Sequence, residues 1–544
     1  MRKIKSEYLI AILGFILFVP FLGNVHLFDW DEINFAESAR EMMVTGEYFK
    51  VQINFETFWE KPPFFFWLQV LSMKLFGINE FAARFPNALI GIATLIIIFR
   101  IGRKHVNESF AWIWVLVYAG SFLPHFYFRS GIIDPTFNLF IFLSIYYWAL
   151  ASSREAEWPH IYLAGFFGGM ATLTKGPVGV LIVGLCVLIY WAYKRDWSAI
   201  KWSDIFKYAA VVLFVSFAWF GVEFIKNGPY FIQEFITYQI RLFKTQDAGH
   251  GGPFYYHALV LLLGCFPISF FTIQGLFKKP HAYRPFQQLY LWSKISFWVV
   301  LILFSIVNTK IVHYSSFCYF PITLIGAWVV YKQSINRQLG GNSLIRFLFS
   351  LTGGLIAAVF VLLPIAMYTK TSWMNQAQEY VQDPFAWANL HAPVYWGGYE
   401  WIGGVVLFAG LVFYGFKMKR DPFEAILVLF VTVILSIELV LPLVVPKVEG
   451  FSQREAISFY ESIAQEDKYV YVHGFKSYAH LFYAKVMPQK NAQSKDFQWL
   501  LNGPVDKPTY FVSKIGTDED KELKNAEKLV PIGGEYGFHF YKRK

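Results

Sequence analysis

Long apolar runs separated by short polar turns fill the chain from residue 8 to residue 446. They lie at 8–23, 81–99, 110–124, 131–150, 160–173, 176–193, 207–225, 257–277, 289–307, 311–331, 346–368, 396–416 and 423–446. Against the ~20 residues a helix needs to cross a bilayer, they predict about thirteen transmembrane helices. The first run follows Arg2, Lys3 and Lys5, as a secretory signal would, but no small-x-small cleavage site comes after it, so it is expected to remain as a span. Two segments between runs have a different pattern. Residues 32–43 place Ile33, Ala36, Ala39, Met42 and Met43 on one side, and an aromatic stretch runs from Pro63 to Phe76. Both predict amphipathic helices at the membrane surface.

From residue 447 the pattern changes to short apolar stretches between charged and turn residues. Ser452 and Glu455 have capping-box spacing ahead of an amphipathic helix. Residues 469–473 and 509–513 alternate as strands, a helix is expected near 518–528 and a last strand near 538–541. The expected organisation is an α-helical polytopic membrane domain over 1–446 and a small extracytoplasmic α/β domain over 447–544.

Charge then orients the spans. With the N-terminus in the cytoplasm, the turns at 100–104, 154, 194–207, 278–284, 332–346 and 417–420 all fall on the cytoplasmic side, and each carries Lys or Arg. The long loops 24–80, 226–256 and 369–395, and the tail, fall outside. Hydrophobic residues make up 56% of the 544 positions and charged residues 16%, which excludes a disordered chain and argues against a soluble enzyme. The net charge of +10 is spread over short turns and forms no stripe, so no nucleic-acid partner is expected. Cys186, Cys265 and Cys318 all lie in apolar runs without metal spacing and are expected to be inert buried thiols.

The candidate chemistry lies in the outer loops. Asp31 and Glu32 follow the first span, and a carboxylate held there can act as a general base. Lys61 precedes Pro62-Pro63, where it suits a phosphate as a point charge. Asp134 opens a later run, where it can cap the helix or serve as a second site carboxylate. Lys175, Arg241 and Lys310, with Tyr314 just beyond, add cations and a hydroxyl on the same side. Cations beside a carboxylate are what transfer from a phosphate leaving group requires. The cations stabilise charge developing on the phosphate, and the carboxylate deprotonates the acceptor. No glycine-rich phosphate loop is present.

The run Asp31-Glu32-x-x-Phe35-Ala36-Glu37-x-Ala39-Arg40-Glu41-Met42, then Glu60-Lys61-Pro62-Pro63 and Phe76-Gly77-x-Asn79-Glu80-Phe81-Ala82-Ala83-Arg84-Phe85-Pro86, resembles the bacterial aminoarabinose-transferase-like branch of the protein O-mannosyltransferase superfamily. Thr174-Lys175-Gly176-Pro177, Arg241 and Lys310 to Tyr314 are similar too. The resemblance implies a GT-C fold and an inverting glycosyltransferase of the inner membrane. Such an enzyme moves a sugar from a polyprenyl-phosphate donor to a lipid acceptor, lipid A or another glycolipid, on the outer face. It implies Asp31 as catalytic base, Asp134 and Glu32 as further site carboxylates, and Lys61, Arg241, Tyr314, Lys310 and Lys175 around the donor phosphate. Where the family often has Arg and Tyr, this chain has Asn34 and Phe35. No cofactor is certain. Some superfamily members use a divalent metal, for which Glu60 and His250 are the candidate ligands. The alternatives are a protein O-mannosyltransferase with a protein acceptor, a transporter or flippase of lipid-linked sugars, and a non-catalytic scaffold. Absence of repeats and clustering of polar residues on one face argue against a transporter.

Overall fold

The computed structural model describes residues 5–544 apart from 59, 154–156, 196–199, 245–250, 281–283 and 337–342. Arg154, Arg337 and His250 therefore lie outside the described residues.

The membrane part begins with α1 (Ser6–Phe18), α2 (Asp31–Thr45), α3 (Phe64–Phe76), α4 (Glu80–His105), α5 (Glu108–Ala119), α6 (Phe122–Phe126), α7 (Asp134–Ala151), α8 (Trp158–Lys175), α9 (Val178–Lys194) and α10 (Trp202–Asn227). It continues through α11 (Tyr230–Lys244), α12 (Tyr256–Gly264), α13 (Ile268–Leu276), α14 (Arg284–Ile306), α15 (Tyr319–Asn336), α16 (Ser343–Tyr368), α17 (Lys370–Ala377), α18 (Pro384–Leu390), α19 (Ile402–Lys417) and α20 (Pro422–Leu443). Every apolar run coincides with helix, so this is a multi-pass membrane protein. Among the described residues, six helices are long and apolar enough to span: Glu80–His105, Trp202–Asn227, Arg284–Ile306, Val312–Ile335, Ser343–Tyr368 and Pro422–Glu449. The pair Glu108–Ala119 and Phe122–Arg129, bent by 84°, makes a seventh if taken as one span. The run at 257–277, expected as one span, is two helices. Pro267, which has no N–H to donate, sits at the break as N-cap of α13.

Both expected helices between the runs form, but α2 is not a surface helix: Glu32 to Met42 are all buried, because the tail covers the side expected to face solvent. Helix α2 carries Asp31 and Glu32 in its first turn and ends at Gly46, whose φ of 75° suits glycine and whose N–H reaches Met42 O. Helix α3 starts after Pro63. Helix α4 starts at Asn79, whose side chain accepts from Ala82 N (2.9 Å).

The tail folds into a mixed sheet of β3 (Tyr469–His473), β4 (Thr509–Lys514), β5 (Leu529–Gly533) and β6 (Phe538–Arg543) in the order β3-β4-β6-β5; β1 (Gln52–Ile53) and β2 (Glu56–Thr57) form a separate hairpin. Strand β3 is parallel to β4; the other pairs are antiparallel. The expected strands and the helix at Asp518–Asn525 are present. Strand β5, which contains Pro531 and two glycines at or beside its end, was not legible. The capping box is not formed. Ser452 Oγ donates to Glu449 O (2.8 Å), and Glu455 instead accepts from the Glu535 and Tyr536 N–H groups (2.9 and 2.6 Å).

Both faces of this sheet are covered, so alternate residues of β4 enter different cores. Phe511 packs with Trp499, Leu500 and Tyr541, whereas Tyr510 and Val512 join Phe538 and Phe540 in a core that also holds Ile33, Phe35, Phe65 and Phe66. The sheet is thus seated on α2 and α3. Hydrogen bonds from Leu27 N to the Tyr483 hydroxyl (2.7 Å), Arg40 to Val486 O (2.7 Å) and Gln453 to Leu27 O (2.7 Å) fasten the seam.

Candidate active site

The site is built on the first turn of α2, and α4 braces it. Arg84 donates to both Glu32 oxygens (2.9 and 2.7 Å) and to the carbonyls of Leu22, Val25 and His26. Glu32 also accepts from Phe28 N (2.9 Å) and Gly131 N (2.5 Å). Expected as a site carboxylate, Glu32 borders the same cavity as Asp31, but its four hydrogen bonds all come from protein donors, and it ties the 22–28 loop, α2 and residue 131 into one block. One turn along α4, Asn87 donates to Ser130 O (2.7 Å) and Ile132 O (2.6 Å) and so aims the start of α7.

These braces place Asp31 and Asp134 on one cavity of about 980 Å3. Neither carboxylate caps its own helix. Asp31 Oδ2 lies 3.1 Å from His313 Nε2, and Asp134 accepts from Lys175 Nζ at 2.6 Å. Lys175 is the last residue of α8. Gly176 follows with φ of 86° and its N–H on Thr172 O (2.8 Å), and a Cβ there would collide with Phe235 of α11. Glycine therefore lets α11 close on the α8–α9 turn. Helix α11 brings Tyr238 and Arg241. The Arg241 guanidinium lies 5.0 Å and Lys61 Nζ 5.5 Å from the centre of the Tyr238 ring, so two cations meet at one aromatic side chain. Lys175 lies 5.6 Å from the Tyr314 ring, which also borders the cavity.

Burial alone would raise the Asp31 carboxyl. The hydrogen bond and charge of His313, then Lys61 and Lys175, outweigh it and hold the group at about 2. Asp29, also on the cavity wall, is pushed up to about 6 by burial, which the Ser477 hydrogen bond and Lys514 offset only in part. Two carboxylates two positions apart thus titrate in separate ranges.

Lys310 departs from expectation. It is buried away from the cavity, where its Nζ donates to the carbonyls of Phe304 (3.1 Å), Ser305 (2.7 Å) and Val307 (2.5 Å) and closes the end of α14. A lysine one turn past a helix end is as well suited to free carbonyls as to phosphate, and the sequence does not separate the two. His313 and Asp29 also line the cavity; the sequence placed Asp29 beside Asp31 and Glu32 after the first span but assigned neither residue a role. The only signal for His313 was its place beside Tyr314. Asn34, at the position where the family often has Arg, does not reach the cavity. With its amide nitrogen toward Trp30 O and its oxygen toward Trp30 Nε1 (both 3.0 Å), it pins the indole between Asp29 and Asp31. Among the described residues no three His, Cys, Asp or Glu side chains converge on a metal position. All three cysteines are buried free thiols.

Fold and site define a multi-pass helical membrane protein with a deep charged cavity. The chain superposes over 98% of its length on 97% of ArnT from Cupriavidus metallidurans bound to undecaprenyl phosphate, with a TM-score of 0.77 at 18% identity. Residues 60–220 match the family described as dolichyl-phosphate-mannose-protein mannosyltransferase. In sequence the chain is similar to undecaprenyl phosphate-alpha-4-amino-4-deoxy-L-arabinose arabinosyl transferases: 27% identity to that of Shewanella sediminis over 62% of each chain, and 28% to that of Edwardsiella ictaluri over 67% of this chain and 66% of the relative. The match therefore spans somewhat under two thirds of these relatives. The likeness to the aminoarabinose-transferase-like branch holds in both sequence and fold.

Proposed function

We propose that the protein is an inverting glycosyltransferase of the inner membrane that transfers a sugar from a polyprenyl-phosphate donor to a lipid acceptor on the outer face. The observation that carries this is the single cavity in which Asp31–His313, Asp134–Lys175, Lys61, Arg241 and Tyr314 converge. Lys61 and Arg241, gathered at Tyr238, hold the donor phosphate with the Tyr314 hydroxyl, and Lys175 faces it from the α8 end. Asp134 positions Lys175. Asp31 takes the acceptor proton as the acceptor oxygen attacks the anomeric carbon and the C–O bond to the phosphate breaks. Bound phosphate draws on the same lysines that hold the Asp31 carboxyl at about 2, so donor binding raises the basicity of Asp31 when the base is needed. Phe137, Leu181 and Leu303 supply an apolar wall for the polyprenyl chain. The six basic turns support a cytoplasmic N-terminus and an outer cavity.

The test uses purified protein in lipid with radiolabelled polyprenyl-phosphate sugars and separate lipid and peptide acceptors. Wild type transfers label to lipid. Asp31→Asn, folded and still binding donor, loses roughly 10²–10⁴-fold of the rate. Passage of intact donor across the bilayer without cleavage overturns the reading in favour of a transporter. Label on peptide alone assigns a protein acceptor.

A further inference from the structure

A second cavity, of about 1460 Å3, lies between the same two helices that wall the first, at their opposite ends. Helices α9 and α14 run antiparallel. The α9 residues Leu181 and Ile182 and the α14 residues Leu303 and Phe304 face the first cavity, while Lys194 and Arg284, at the other ends of these helices, face the second. At ~1.5 Å per residue, α9 alone separates the two ends by about 25 Å. Its lining carries Lys194, Lys279, Arg284 and Lys294, the last of them ten residues on from Arg284 along α14 and donating to Lys278 O (2.7 Å), and no described lining residue is a carboxylate. Lys279 is near enough for its charge to act on Lys294. One turn on from Arg284, Gln288 donates to the Ser152 hydroxyl (3.1 Å) and the Tyr190 hydroxyl (2.5 Å). The apolar walls are Leu185 and Ile189 on α9, Ile295, Val299 and Ile302 on α14. They include Leu303, which also lines the first cavity.

Cations that merely snorkel need no concavity beneath them. These four line one that is larger than the ~300–1000 Å3 typical of small-molecule pockets and elongated along the span. Ile302 and Ile306, 48% and 59% exposed, open its side to the hydrocarbon. We propose that this crevice holds an anionic phospholipid of the leaflet opposite the Asp31 cavity, its phosphate among Lys194, Lys279, Arg284 and Lys294 and one acyl chain between α9 and α14 as far as Leu303. Charge complementarity selects the occupant: four like charges lining one crevice attract an anion. Through Leu303 the chain of this lipid touches the wall of the reaction cavity.

The full-length protein in nanodiscs is irradiated with phosphatidylglycerol carrying a diazirine on one acyl chain, or with the matched phosphatidylcholine, without donor, and the adducts are mapped by mass spectrometry. Phosphatidylglycerol adducts are expected on α9 and α14 between Leu185 and Ile306, several-fold above phosphatidylcholine. In the K194Q/K279Q/R284Q variant they fall by roughly tenfold, while donor binding is unchanged. Equal labelling by the two lipids, or adducts confined to other helices, overturns the proposal from wild type alone. An unchanged yield in the folded triple variant overturns it too. Adducts lost on adding a polyprenyl-phosphate donor assign the crevice to the donor tail instead.

Discussion

Asp29, Asp31 and Glu41 lie within thirteen positions, and their surroundings separate them. Asp31, held at about 2 by His313, Lys61 and Lys175 against its burial, contributes stability that is complete above its ordinary range near 4 and lost only as pH falls through 2. Glu41 is the opposite case. Burial and the neighbouring Glu37 push it up to about 9, which the hydrogen bond it accepts from Phe55 N (2.8 Å) offsets only in part. Its contribution is complete below about 4.5 and disappears as pH rises through 9. Glu41→Gln should therefore unfold at higher temperature than wild type at pH 9, by at least about 1 kcal/mol, with a smaller gap at pH 5, as thermal unfolding would measure. Asp29 bears on the ligand. As it ionises near pH 6 it adds negative charge to the cavity proposed to hold the donor phosphate. Donor affinity should weaken between about pH 5 and 7 in wild type, and the Asp29→Asn variant should show a flatter profile by titration at each pH.

At the scale of elements, the important residues hold helix ends. Lys310 and Lys61 look alike in sequence, both outer-side lysines near a span. One closes three carbonyls of α14 and the other faces the cavity. Lys310→Met should lower stability by roughly 1–3 kcal/mol and leave donor affinity unchanged. Lys61→Met should do the reverse, and thermal unfolding beside donor titration distinguishes them. Short joints were poorly legible. The unfilled capping box at Ser452 depends on a partner distant in sequence, the Glu535 N–H that Glu455 accepts from, whereas the split of 257–277 is local, at Pro267.

For the whole molecule, the tail and the outer helices share one core. Removing residues 447–544 would uncover Ile33, Phe35, Phe65 and Phe66, which pack with Tyr510, Phe538 and Phe540, and would remove Tyr483 and Gln453 from the 27–28 loop. The truncated chain should elute as aggregate by size exclusion and lose donor cleavage and acceptor transfer together. That outcome assigns the tail a structural hold on the Asp31 turn. Intact donor cleavage with loss of transfer alone would assign it to the acceptor instead.

The sequence by itself determined the helical membrane architecture, the helices that became α2 and α3, most of the tail strands and the motif blocks that supply Asp31, Lys61, Asp134, Lys175, Arg241 and Tyr314. Periodicity and the shortage of polar groups leave a bilayer-spanning chain few alternatives to helix. Only the tertiary structure decided which carboxylates and cations serve the cavity and which serve the frame. Glu32 pairs with Arg84 fifty-two positions away, Asp31 with His313 and Asp134 with Lys175. Charge and hydrogen-bond capacity belong to a residue, but the partner that uses them is set by which helix ends the fold brings together.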